Sequence, residues 1–177
     1  MTIEPQVTSR IVLIGFMGTG KSTVSKMLAD RLGWKQIDID EEIVRSEGRA
    51  IPVIFTEGGE EHFRSIETKV LKSVLSDSLA DAVIATGGGA VLRSENCEAM
   101  IGSSFVVTLK ADAEQIIARV GSDSNRPLLE DDPAARVYAL LEARRHAYDF
   151  AHFTVDTTEM TTNEVVESIL QEWSKYQ

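Results

Sequence analysis

The stretch that decides the fold is "GFMGTGKST", Gly15 to Thr23. It follows the apolar run "IVLI" (11–14) and precedes "VSKMLADRLG" (24–33), whose apolar residues recur at helical spacing. Gly15, Gly20, Lys21 and Ser22 satisfy G-x-x-x-x-G-K-[ST], and Gly18 adds a further glycine. Cradling a polyphosphate requires several backbone N–H groups aimed at one point, with backbone angles and a close approach that side chains obstruct. A helix starting at Lys21 adds the positive end of its dipole. Lys21 can then reach the outer phosphates, and the Ser22 hydroxyl can ligate Mg²⁺. A glycine-rich turn that binds nothing is the competing reading, and the full pattern between a strand and a helix is too specific for it. The stretch predicts a nucleoside-triphosphate site.

Working outward, the chain of 177 residues is expected to form one domain over 1–177, large enough to bury a real core. An apolar content of 43% and a charged content of 26% are ordinary for a globular protein. The net charge of −10 argues against a nucleic-acid partner, since no dense basic patch is available to neutralise phosphates. An anionic substrate would therefore need locally placed arginines. One cysteine, Cys97, excludes an intramolecular disulfide framework and fits a reducing cytosol. The start "MTIEPQVTSR" has no long apolar run behind a basic flank, and no stretch approaches membrane-spanning length. The expectation is a cytoplasmic protein with no membrane partner.

Short apolar runs alternate with longer amphipathic stretches. Strands are expected at "RIVLIG" (10–15), near "KQIDI" (35–39), and at "DAVIAT" (81–86), "SFVVTLK" (104–110) and "FTVDT" (153–157). Helices are expected over about 21–32, from Glu41 to Glu47 with Gly48 as the stop, and over 59–76. Others start near 111, run over 133–150 with Pro133 in the first turn, and close the chain from 162. This order predicts an α/β protein with a parallel sheet covered on both faces, binding ligands at the carboxyl ends of its strands.

Two segments imitate GTPase motifs and fail. "LKAD" (109–112) has Leu109 where a guanine-reading box needs Asn or Thr, and "DRLG" (30–33) falls inside the first helix. A large motor ATPase needs more chain. A small kinase remains, which should carry an acceptor-hydroxyl site and a mobile lid. "IDIDEE" (37–42) supplies Asp38 and Asp40, which alternation would place on one side of an extended segment. Near a Mg²⁺-nucleotide, one carboxylate can hold metal-bound water while the other accepts the proton of an attacking hydroxyl. An acid-rich helix start is the bland alternative, and it suits Glu41 and Glu42. "ATGGGAV" (85–91) would let backbone amides approach a small polar molecule, or would simply be a flexible turn. "FRSIE" (63–67) sets Arg64 among apolar neighbours with Glu67 able to orient it; a surface salt bridge is the alternative. "SDSNRPLLEDDP" (122–133) has the composition of a lid around Arg126, and equally that of a surface loop.

In order and spacing, "GFMGTGKST", "DIDEEI", "GEEHFRSIE", "TGGGAV", "RPLL" and the arginine pair in "EARRHAYDFA" resemble the shikimate kinase family across nearly the whole chain. The resemblance implies a nucleoside-monophosphate-kinase-like P-loop fold with three α/β/α layers, a five-stranded parallel sheet and a lid at about 121–132. It implies transfer of phosphate from MgATP to the 3-hydroxyl of shikimate, a step towards chorismate and the aromatic amino acids. Carried over by residue, Gly18, Thr19, Gly20, Lys21, Ser22 and Thr23 would embrace the phosphates, with Lys21 stabilising the transferring group. Ser22 and Asp38 would serve Mg²⁺. Asp40 would act as base or positioner for the attacking oxygen. Arg64 and Arg144 would grip the substrate carboxylate, on a substrate-binding helical segment of about 40–67 and near the end of the helix over 133–150; guanidinium forks suit carboxylates. Gly87, Gly88 and Gly89 resemble the substrate loop, Phe55 and Phe63 the apolar walls. Arg126 would be the lid arginine, and Arg119 would stack on adenine.

This chain departs from the family pattern twice. "RRHAY" lacks the proline of R-x-P-x-Y; counting back from Tyr148 selects Arg144, with Arg145 one position away and about 100° round a helix. "DTTEMTTNEV" lacks a proline common near adenine. A gluconate kinase on the same scaffold is the nearest rival, opposed by the paired arginines and "TGGG". A nucleotide-binding regulator without catalysis would have lost Lys21, Asp38 or Asp40, and all are present. A small enzyme with a self-contained site is expected to act as a monomer.

Overall fold

Every residue of Arg10–Ile14 is buried, because this strand lies at the centre of a sheet covered on both faces. The computed structural model describes residues 9–77, 80–121 and 132–177. Its elements are β1 (Arg10–Ile14), α1 (Lys21–Leu32), β2 (Lys35–Asp38), α2 (Ile39–Glu47), α3 (Ile51–Ser76), β3 (Ala82–Ala85), a 3-10 turn (Ala90–Leu92), α4 (Ser94–Ser103), β4 (Phe105–Lys110), α5 (Ala113–Val120), α6 (Pro133–Ala143), β5 (Phe153–Asp156) and α7 (Thr162–Tyr176). The five strands are all parallel, in the order β2-β3-β1-β4-β5.

Side-chain alternation along β1 builds the three layers. Ile11 and Leu13 pack with Val24 and Leu28 of α1 and with Val165, Val166, Ile169 and Trp173 of α7. Val12 and Ile14 face the other way, towards Ile54, Phe63 and Leu71 of α3, Met100 of α4 and Val137 of α6. Each such fully buried aliphatic side chain contributes about 1.5–3 kcal/mol of transfer free energy. Register then levels the carboxyl ends: Ala85 lies beside Leu13 on one side and Asp38 on the other. The ends of β1, β2 and β3 therefore open onto one edge, where such sheets bind ligands.

Three helix boundaries differ from the sequence reading. α2 begins at Ile39, with Asp38 as its N-cap accepting the Asp40 N–H at 2.9 Å. Asp40 thus sits in the first turn of a helix and not on an extended segment; the capping bond outcompetes further strand. α3 begins at Ile51, with proline in its first turn, and Gly59 (φ 78°, ψ 178°) interrupts it before the stretch expected as the helix. α6 stops at Ala143 and does not continue to Phe150. Beyond it, Arg145 N–H bonds Glu142 O and Ala147 N–H bonds Arg144 O, tightening the chain into turns that carry Arg144 and Tyr148 inward. Most of the expected lid (about 121–132), with Arg126, lies outside the described residues. Among the described residues no helix is long and apolar enough to cross a membrane.

Candidate active site

The loop between β1 and α1 folds back on its own carbonyls. Thr19 Oγ1 and Lys21 Nζ both donate to the Phe16 carbonyl, each at 2.8 Å, and both residues are buried. Gly15 (φ 144°) is wedged under β4, where a Cβ would run into the Leu109 carbonyl oxygen. Gly20 is the N-cap of α1 in the left-handed region (φ 92°), accessible at little cost to glycine. No side chain caps this helix and its own first turn holds no acid, so its positive end is open to attract an anion. The loop lines a cavity of about 240 Å³ with Gly18, Gly20, Lys21, Ser22 and Thr23, and Asp38, Asp40, Thr86, Gly87 and Gly88 complete its lining together with Arg119.

Asp38 divides its carboxylate between two tasks. One oxygen caps α2, and the other accepts the Ser22 hydroxyl at 2.7 Å. A hydroxyl and a carboxylate converging beside a phosphate loop are hard oxygen donors of the kind Mg²⁺ takes, completed by phosphate and water. The donor set fits that ion.

Arg64, Glu67 and Arg144 do not line this cavity; a second group of side chains, drawn from distant segments, gathers behind its glycine loop. Arg64 is buried, with its guanidinium on Glu67 Oε1 at 2.9 Å and Glu60 at 3.4 Å, and its terminal carbon lies 5.1 Å from the Phe63 ring centroid. Phe63 in turn stacks on Phe55, centroids 4.6 Å apart. Glu67 has no exposed surface; burial pushes its carboxyl up, against the pull of Arg64 and, more weakly, Arg144. Its Oε2 has no hydrogen-bond partner among the described residues. The triple glycine lets these groups close in. A Cβ on Gly87 would lie 3.0 Å from Glu67 Oε2 and 3.1 Å from Asp40 Oδ1, and one on Gly89 would collide with the Arg64 guanidinium. Asp40, Glu67 and Arg64 are thereby gathered around one loop.

Arg144 is 5% exposed, its guanidinium 5.7 Å from the Phe16 ring centroid. The Arg145 side chain is 68% exposed and pairs at 3.8 Å with Glu142. The end of α6 separates the two neighbours, one inside and one in solvent.

A second cavity, of about 280 Å³, adjoins the phosphate loop and is lined by Thr19, Gly20, Thr23, Arg119, Thr157 and Met160, among others. Arg119 borders both cavities and donates to the Gly18 carbonyl at 2.9 Å and to Gln115 at 3.0 Å. Phe16 and Thr86 lie inside "GFMGTGKST" and "ATGGGAV", and Thr157 and Met160 inside "DTTEMTTNEV", the segment compared above with the family pattern near adenine. None of the four is singled out by sequence, because none supplies a glycine, an acid or a base.

Residues 17–174 match the family model described as "Shikimate kinase". Among curated proteins, the chain is similar to a shikimate kinase of Thermodesulfovibrio yellowstonii, 41% identical over 93% of this chain and 95% of that one. A shikimate kinase of Streptomyces coelicolor is 42% identical over 90% and 92% of the two chains. Among solved structures, the shikimate kinase from Acinetobacter baumannii in complex with shikimate superposes with a TM-score of 0.91 at 37% identity, covering 97% of this chain and 96% of that one. With a parallel five-stranded sheet, a phosphate loop and this likeness over almost its full length, the chain belongs to the shikimate kinase family.

Proposed function

We propose that this protein transfers the terminal phosphoryl group of ATP to the 3-hydroxyl of shikimate, giving shikimate 3-phosphate and ADP. The observation that carries the reading is that Lys21, Ser22, Asp40 and Gly87 line one cavity, with Arg64 against the same glycine loop. Phosphoryl transfer asks for little covalent work from a protein; it needs alignment, charge neutralisation and a dry site.

In this reading the loop amides from Gly18 to Thr23 hold the polyphosphate and Lys21 moves from the Phe16 carbonyl to the transferring group. Ser22 would hold Mg²⁺, and Asp38 would hold it through bound water; the ion would supply neutralisation of phosphate charge. Asp40 aligns the acceptor hydroxyl and takes its proton as the new O–P bond forms. Arg64 and Arg144 grip the shikimate carboxylate, Gly87 to Gly89 line its bed, and Phe55 and Phe63 wall the ring. Arg119 covers adenine, with Thr157 and Met160 on the same cavity. Arg126, on a lid over about 121–132, would swing onto the phosphates and exclude water. The protein would work as a single domain and a monomer in the cytoplasm, without nucleic acid or membrane. Its net charge of −10 weighs against a nucleic-acid partner.

ADP release in the presence of MgATP, with and without shikimate, tests the whole reading. Turnover that depends on shikimate is expected. Turnover with gluconate in its place, or nucleotide binding with no turnover, would overturn it.

A further inference from the structure

The geometry points to Tyr148 as a positioning residue for the acceptor: its phenol fixes the central peptide of the triple-glycine loop, and so directs the Gly89 N–H away from itself and towards the substrate carboxylate. The inference rests on the shikimate reading above and deepens it. Tyr148 is 8% exposed and donates its hydroxyl proton to the Gly88 carbonyl at 2.7 Å, sixty residues away in sequence. On its other side Gly88 is hemmed in by the phosphate loop, since a Cβ there would sit 3.1 Å from the Met17 nitrogen. Gly88 is thus held between two parts of the protein, its carbonyl on Tyr148 and its Cα against the phosphate loop.

A trans peptide points its C=O and the next residue's N–H in opposite directions, and the described chain has no cis bond. Anchoring the Gly88 oxygen on Tyr148 therefore turns the Gly89 N–H away from Tyr148. Gly89 itself packs on the Arg64 guanidinium. A carboxylate held by Arg64 would meet that amide as an adjacent, already oriented donor, which spares the cost of ordering the loop at binding. Tyr148 is well held for the task. Its own carbonyl accepts the Thr108 hydroxyl at 2.9 Å from β4, and the far end of the glycine loop is clamped by Asn96 Nδ2 on the Ala90 carbonyl at 2.9 Å. Burial pushes the phenol up, so it stays a proton donor throughout the neutral range. One short run of turns after α6 thereby supplies both the second arginine, Arg144, and the anchor for the loop.

Steady-state kinetics of Tyr148→Phe, alone and in an Arg144→Ala background, test the inference. Phenylalanine keeps the ring, and the hydroxyl it removes bonds both Gly88 and Arg144. The effect of Tyr148→Phe should therefore persist without Arg144, and its loss there would overturn the inference. The KM for shikimate should rise about five- to tenfold, the worth of one net hydrogen bond. The KM for ATP and kcat should stay within twofold. A shikimate KM that is unchanged, or both KM values rising together, would overturn it. Wild-type turnover on shikimate, measured alongside, separates failure of this inference from failure of the underlying reading. If the variant melts below the assay temperature, the same kinetics run below its melting temperature decide, with the same expected and overturning outcomes.

Discussion

The two halves of the proposed active site are built in opposite ways. The phosphate side is nearly contiguous: Gly15 to Thr23 carry its loop, its lysine and the start of α1 in nine residues. The acceptor side draws Asp40, Arg64, Gly87 to Gly89 and Arg144 from four separate parts of the chain. Backbone amides dominate the first, so its chemistry follows from local conformation. Buried charges dominate the second, and each must be brought to its partner by the sheet order and by helix ends. A contiguous site can be damaged one function at a time, whereas the assembled one couples binding to folding.

That contrast can be broken by mutation. Lys21→Ala removes charge from the transferring phosphoryl and leaves the acceptor side intact. Its kcat should fall about 10³-fold, with the KM for shikimate within twofold; an equal rise in that KM would show that the halves are not separable. Glu67→Ala should instead cost about 3 kcal/mol of stability, because it strands the buried Arg64 guanidinium. Urea unfolding measures this, and a loss below about 1 kcal/mol would put the pair among ordinary surface salt bridges. Arg64→Ala should raise the KM for shikimate about thirtyfold, as expected for losing a charge-assisted bond, and leave the KM for ATP alone. Arg145→Ala, one residue beyond the buried arginine, should change neither.

A small effect on stability lies away from both halves. His152 Nδ1 accepts the Val106 N–H at 3.0 Å, which requires that nitrogen to be unprotonated, and burial lowers the imidazole's pKa from 6.5. The unfolded chain then binds the proton more readily than the folded one. Stability from this contact is complete above about pH 6.5 and declines as pH falls below it towards the folded-state value. Melting temperatures of the wild type and His152→Gln should converge on acidification; parallel curves would remove the contact from the balance.

Much of this was legible beforehand, for identifiable reasons. The phosphate loop could be read because glycines, a lysine and a hydroxyl at fixed spacing are required by the backbone geometry itself. Alternation of apolar runs with amphipathic stretches exposed the parallel sheet, since strands buried on both faces have no polar side. The helix boundaries were harder. Nothing local to Asp38 says whether its carboxylate extends a strand or caps a helix; capping won because it satisfies the Asp40 N–H. α6 looked continuous to Phe150 because its composition is helical throughout. It stops at Ala143, and the turns beyond it bury Arg144 and Tyr148.

By itself, then, the order of residues determined the nucleotide loop, the α/β class and the inventory of acids and arginines available for an acceptor. These depend on interactions within a few residues, where spacing is geometry. The tertiary structure alone decided the β2-β3-β1-β4-β5 order, which arginine of the pair points inward, and the pressing of Arg64, Glu67 and Asp40 onto one glycine loop. Those arrangements join segments that meet only when the strand ends are levelled and both faces of the sheet are covered, and no local pattern carries that information.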